Sequence, residues 1–171
     1  MHACRVAVEE AKKQGLKAWL YDENGWPSGF AGGKVPALGE DFTAKHLYFI
    51  RRAPGKSDGK VLAAYRKQEN GMYVKMNETD AETADLYCCM GQLKGYADLL
   101  NPKAMRAFLD FTHEKYYEEL GEYFGNVIPG IFTDEPQLTR KNCYDGVNDN
   151  FMLPWTGTFC ERYSEKYGED I

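Results

Sequence analysis

The sequence lacks most of what would tie it to a membrane, a disulfide scaffold or a nucleic acid. No stretch approaches the ~18 consecutive apolar residues that a bilayer span needs, and the first residues carry no signal-peptide core. A cytoplasmic, membrane-free protein is expected. Lys and Arg total 21 against 26 Asp and Glu, a net charge of −5, and the clustered positive charge that phosphate-backbone binding requires is missing. Nucleic acid is therefore not an expected partner. The five cysteines (Cys4, Cys88, Cys89, Cys143, Cys160) are odd in number and include an adjacent pair, a poor framework for a stapled fold. Reduced thiols are expected. No Cys-x-x-Cys spacing occurs, and His2, His46 and His113 lie far apart, so no structural zinc site is expected. His113-Glu114 would open a zinc-protease helix only with histidine at the position held by Tyr117. Gly33-Lys34 fails as a phosphate-binding loop, with Ser28 where glycine is needed and Val35 where a magnesium-binding hydroxyl belongs.

What is present is enough apolar surface for a core. Apolar residues make up 43% and aromatics 14% of the 171 residues, which excludes a disordered chain and fits roughly one domain. His2 to Gln14 has helical spacing and Gly15 as a stop, and Leu16 to Tyr21 is a short apolar run ending in Asp22-Glu23 before a turn-rich stretch from Asn24 to Gly33. The pattern then changes. KHLYFIRR, KVLAAYRK and GMYVKM are β-type segments, with Asn70-Gly71 as a hairpin turn, PGKSDG at 54–59 as another turn, and Leu86 to Met90 as a further strand. Tyr96 to Leu100 resumes the first pattern, Asn101-Pro102 caps a long helix reaching Phe124, and Val127 to Thr133 is a strand closed by Asp134-Glu135-Pro136. A polar loop from Gln137 to Asn150 and the segment Phe151 to Trp155 lead into a last helix, about 158–167.

This order predicts an α/β chain built as a segment of a parallel (β/α)8 barrel, with barrel-type stretches at about 2–35 and 95–171 and an antiparallel β insertion at about 42–92. Only three barrel-type strands fit, whereas a whole barrel takes about 250 residues. Unpaired strand edges left by such a segment give a route to self-association.

In parallel α/β folds the working groups sit at the C-terminal strand ends. Two of the three predicted strands end in acid pairs, Asp22-Glu23 and Asp134-Glu135, and the third carries Asp98. Acids gathered on one rim suit glycoside cleavage, in which one carboxyl group is the acid and a second the base or nucleophile. Alternation along a regular strand lets only one member of each pair point to the site. Glu135 is favoured, because its longer side chain can reach from the strand end while Pro136 breaks the strand behind it. Glu23, Asp22 or Asp98 would supply the second carboxylate or bind sugar, Glu23 being grouped with Glu135 as catalytic. Trp26, Phe30 and Trp155 lie in predicted loops, where aromatic faces can receive a sugar ring or anchor the loops themselves. No cofactor is expected, though loop acids could hold calcium.

Residues 19–33 (WLYDENGWPSGFAGG), 96–136 (YADLLNPKAMRAFLDFTHEKYYEELGEYFGNVIPGIFTDEP) and 153–171 (LPWTGTFCERYSEKYGEDI) together resemble bacterial glycoside hydrolases related to the alpha-L-rhamnosidase group. The resemblance implies a (β/α)8 catalytic barrel acting on oligo- or polysaccharides, usually flanked by β-domains. Thr133-Asp134-Glu135-Pro136 also resembles the Asn-Glu-Pro of the large retaining-glycosidase clan, which would make Glu135 the acid/base. Asp stands at 134 where that clan has Asn, and the clan's partner carboxylate would fall beyond Ile171. The alternative expectation is a non-catalytic carbohydrate-binding or assembly fragment.

Overall fold

The computed structural model describes residues 1–56, 58–138 and 152–170. These residues hold four α-helices, α1 (His2–Lys13), α2 (Pro102–Phe111), α3 (His113–Leu120) and α4 (Phe159–Tyr167), and seven strands. The strands are β1 (Leu20–Tyr21), β2 (Thr43–Ile50), β3 (Lys60–Lys67), β4 (Tyr73–Lys75), β5 (Leu86–Ala97), β6 (Ile131–Phe132) and β7 (Met152–Trp155). By their contacts the residues fall into two units, 1–43 with 95–137 and 44–94 with 138–171. No helix among the described residues is long and apolar enough to cross a membrane.

The first unit carries the only parallel pairing among the named strands, β1 against β6, with Leu20 opposite Ile131 and Tyr21 opposite Phe132. Helix α1 packs on it through Val8, which joins Leu20, Leu120, Tyr123, Val127 and Ile128 in one buried cluster. A second cluster, Ala31, Val35, Ala97, Ala104 and Phe108, seats α2. As its sequence predicts, α2 starts at Asn101, whose side chain accepts the Lys103 N–H at 3.0 Å, with Pro102 at the first helical position. The long helix expected to reach Phe124 breaks at Thr112. There the hydroxyl donates back to the Phe108 carbonyl at 2.6 Å, a local bond that competes with regular helix geometry, and α3 starts afresh. Arg106 spans the break, pairing with Asp110 in α2 and, at 2.6 Å, with Glu114 in α3.

The second unit is built on a five-stranded sheet in the order β4-β3-β5-β2-β7. The pairings of β3 with β4, β3 with β5 and β2 with β7 are antiparallel. The β3–β4 hairpin turns where expected: Gly71 takes φ 83 and the Asn70 side chain accepts the Met72 N–H at 3.0 Å. Ala64, Tyr87 and Cys89 form its buried centre. On α4, Phe159 packs against Trp155 and Tyr163 against Tyr167, with ring centroids 4.9 and 4.7 Å apart.

This architecture corrects the expectation of a partial (β/α)8 barrel. The chain is mixed α/β, with most of its strand in one antiparallel sheet. Two of the predicted barrel strands pair for only two residues each, and the third is the tail of β5, a twelve-residue strand of that sheet. Apolar runs were legible in the sequence, but a strand extends only as far as a partner backbone follows it, and that partner is non-local. The polar loop expected between Gln137 and Asn150 falls at 139–150 outside the described residues, as do Phe151 and Cys143.

Candidate functional site

Because β1 and β6 run parallel and side by side, the residues beyond their C-terminal ends meet. Asp22, only 1% exposed, sits at the centre of a hydrogen-bond network. One carboxylate oxygen accepts the Ser28 hydroxyl and the other the Thr133 hydroxyl, each at 2.6 Å. Ser28 in turn accepts the Asp134 N–H on its hydroxyl at 2.9 Å and donates its own N–H to the Asp134 carbonyl at 2.8 Å. Its carbonyl takes the hydroxyl of buried Tyr96 at 2.7 Å, and that hydroxyl oxygen accepts the Gln137 N–H at 3.1 Å. The loop after β1 and the segment after β6 are thereby laced together on both sides of Glu135.

Glu23 has turned inward. Its carboxylate accepts four backbone N–H groups, from Asn24, Phe30, Ala31 and Gly32, at 2.6–3.1 Å. Successive positive φ angles at Ala31 (51) and Gly32 (61) curl those amides around one charge, the anion-binding concavity that αL residues create. Gly32 is confined as well as curled, since a Cβ there would meet the Asn24 amide oxygen at 2.6 Å. The carboxylate holds the loop.

Glu135 is the opposite case. It is exposed, makes no hydrogen bond or ion pair with a described residue, and adopts φ 42, a left-handed conformation that a non-glycine residue enters at a cost. It lies beyond β6, so strand alternation does not govern it or Asp134. Asp134 receives the Tyr21 hydroxyl at 3.4 Å, while that hydroxyl also donates to the Gly25 carbonyl at 2.8 Å. Burial, with the Asp134 charge adding to it, pushes the Tyr21 phenol above its ordinary value.

A cleft of about 190 Å³ opens between the end of β1, the loop that follows it and the break between α2 and α3. Tyr21, Asp22, Glu23 and Asn24 line one side, and Thr112, Lys115 and Tyr116 another, with Lys34 at the loop. The Tyr116 hydroxyl donates to the Tyr21 carbonyl at 2.8 Å, tying α3 to β1, and burial raises its pKa.

Of the residues nominated from sequence, the structure brings together Asp22 and Asp134, through Ser28 and Tyr21, while Glu23 beside Asp22 binds the amides of its own loop. Glu135 adjoins that network through its backbone neighbours but does not line the cleft. Asp98 is buried where β5 turns into α2, one carboxylate oxygen accepting the Leu100 N–H at 3.1 Å. Trp26 is exposed in the loop after β1. Trp155, expected in a loop, is the last residue of β7 in the second unit and is half-buried against Phe159. Sequence reasoning gave no role to Lys115 and Tyr116, and weighed Ser28 and Lys34 only within the rejected phosphate loop. Among the described residues no group of three His, Cys, Asp or Glu is placed to hold a metal. Comparison of the chain with protein-family models, curated proteins and solved structures finds no match in any of the three.

Proposed function

We propose that the chain acts on carbohydrate as a glycoside hydrolase domain, with Glu135 transferring the proton to and from the glycosidic oxygen. The observation that carries this reading is the state of Glu135. Its carboxylate is solvent-facing and has no hydrogen-bond or ion-pair partner among the described residues, on a strained residue whose neighbours Asp134 and Gln137 are pinned to Ser28 and Tyr96. General acid/base catalysis needs a carboxyl group that is reachable, positioned and free of a competing partner. Strain retained at such a point is a recurrent mark of function. Glu23, named with it from the sequence, is assigned the task of shaping the loop, because four amides occupy its oxygens. Asp22 and Asp134 order the strand ends, and Trp26 offers an exposed ring face to a sugar.

A second reading, a non-catalytic sugar-binding module, is favoured by that same commitment of Asp22 and Glu23. Hydrolysis calls for two working carboxyl groups roughly 5–9.5 Å apart, and Glu135 is the one left open among the acids at these strand ends. Incubating the full chain and its Glu135→Gln variant with a panel of aryl glycosides, alongside calorimetry with the matching free sugars, separates the two. Turnover that falls about 10²-fold or more in the variant supports the hydrolase. Sugar binding without turnover supports the module, and an absence of both overturns the carbohydrate reading.

A further inference from the structure

The β1–β6 pair has two faces of opposite character. The Ala18, Leu20 and Asp22 N–H groups donate to the Val127, Gly130 and Phe132 carbonyls at 2.9–3.3 Å, which keeps the two segments side by side. Residues two apart therefore share a face. Ala18, Leu20 and Ile131 lie on the face that packs into the core with Val8 and Leu120. Trp19, Tyr21 and Phe132 form the other. The Trp19 ring lies on Gly130, where a Cβ would come within 2.8 Å of it, so only glycine lets the indole settle there. The Tyr21 and Phe132 ring centroids are 5.9 Å apart. Yet this aromatic face is open to water, with Trp19 65% and Phe132 54% exposed. Large apolar groups left together on a surface mark a place where something binds.

The face ends at an acid. The Tyr21 hydroxyl reaches one Asp134 carboxylate oxygen at 3.4 Å, and the other oxygen has no hydrogen-bond partner among the described residues. Open rings beside an acceptor that lacks a donor suit a sugar, whose C–H groups pack on an aromatic ring while its hydroxyls donate to a carboxylate. A second copy of the chain suits it less well, because a two-fold contact through this face would bury Asp134 of both copies and add like charge to a chain already at −5.

We propose that the Trp19–Phe132 face is a sugar-stacking subsite, on which a pyranose ring of an oligosaccharide packs while one of its hydroxyls donates to Asp134. The assignment rests on the carbohydrate reading above and deepens it to a substrate class. Phe132 precedes Glu135 by three residues, a chain distance of about 10 Å at most, so a ring held on this face neighbours the sugar presented to Glu135. The ligand is then an oligosaccharide and not a single sugar.

The test is calorimetric titration of the full chain with cellohexaose, xylohexaose, maltohexaose and mannohexaose and with the corresponding monosaccharides, while light scattering reports the mass of each sample. The titrations are repeated with Trp19→Ala, Phe132→Ala, Phe132→Tyr and Asp134→Asn. At least one hexaose is expected to bind more tightly than its monosaccharide, and to lose about tenfold or more in affinity when either ring is removed. Phe132→Tyr keeps a ring and should keep the affinity, which separates lost stacking from lost folding, and Asp134→Asn should weaken binding less than the ring removals do. Hexaose affinity unchanged in both alanine variants overturns the subsite and leaves the carbohydrate reading standing. A parent that binds none of the hexaoses also overturns the subsite, and the aryl glycoside assay above decides separately whether the carbohydrate reading falls with it. A parent dimer that becomes monomeric in Trp19→Ala identifies a second copy as the occupant and overturns the proposal as well.

Discussion

The acids after β1 and the acids after β6 stand one to three residues beyond neighbouring parallel strands, and they read almost alike in sequence. Their surroundings differ completely. Glu23 collects four backbone N–H groups, whereas Glu135 collects none from the described residues. The difference comes from the chain that follows. After Glu23 runs a glycine-rich loop able to enter the left-handed region and turn its amides inward. After Glu135 comes Pro136, which has no N–H to give. A strand-end carboxylate becomes a structural anchor when the chain that follows turns donors back to it, as Asn24, Phe30, Ala31 and Gly32 do for Glu23.

The sharpest way to break this contrast is to remove both carboxylates in turn. Glu23→Ala orphans four amides, and a loss of about 3 kcal/mol or more is expected in urea denaturation. Glu135→Ala should stay within about 0.5 kcal/mol of the parent, and equal losses in the two variants would erase the distinction. Next in size, Ser28→Ala takes away the hydroxyl that joins Asp22 to the Asp134 amide and should cost about 1–2 kcal/mol in the same measurement. In the other direction, Glu135→Gly relieves the φ 42 conformation and should stabilise the fold by about 1 kcal/mol while abolishing any hydrolysis. A destabilised glycine variant would show that the left-handed conformation carries no strain.

The smallest effect is a titration. The Tyr21 phenol is raised by burial and then by the Asp134 charge, so its contribution to stability is complete below the ordinary tyrosine range and is lost as pH climbs through the raised value. Asp134→Asn removes the second cause. A phenolate absorbance titration should therefore show one tyrosine ionising earlier in the variant than in the parent.

The sequence carried a good part of this and hid the rest for identifiable reasons. Helix α1, the Asn101-Pro102 start of α2 and the β3–β4 hairpin are local features, set by spacing and turn chemistry within a few residues, and all three were readable. The two-residue extent of β1 and β6 and the absorption of Tyr96-Ala97 into an antiparallel β5 were not, because pairing is settled by segments far away in the chain. Thr112 broke a helix whose apolar spacing ran straight through it; a hydroxyl bonding back one turn leaves no trace in hydrophobic periodicity. At the site, Asp22, Glu23, Asp134 and Glu135 could be nominated by position. Their division into anchors and an open group could not, since it depends on where loop amides point.

Phe30, Ala31 and Gly32 belong to no helix or strand, yet their N–H groups are shielded by a carboxylate that is itself 8% exposed. Transferred into heavy water, these amides will surrender their protons only when the Glu23 grip opens, at the slow pace of ordered sheet. A stretch that looks irregular on paper thus moves as one body with the strand that carries it.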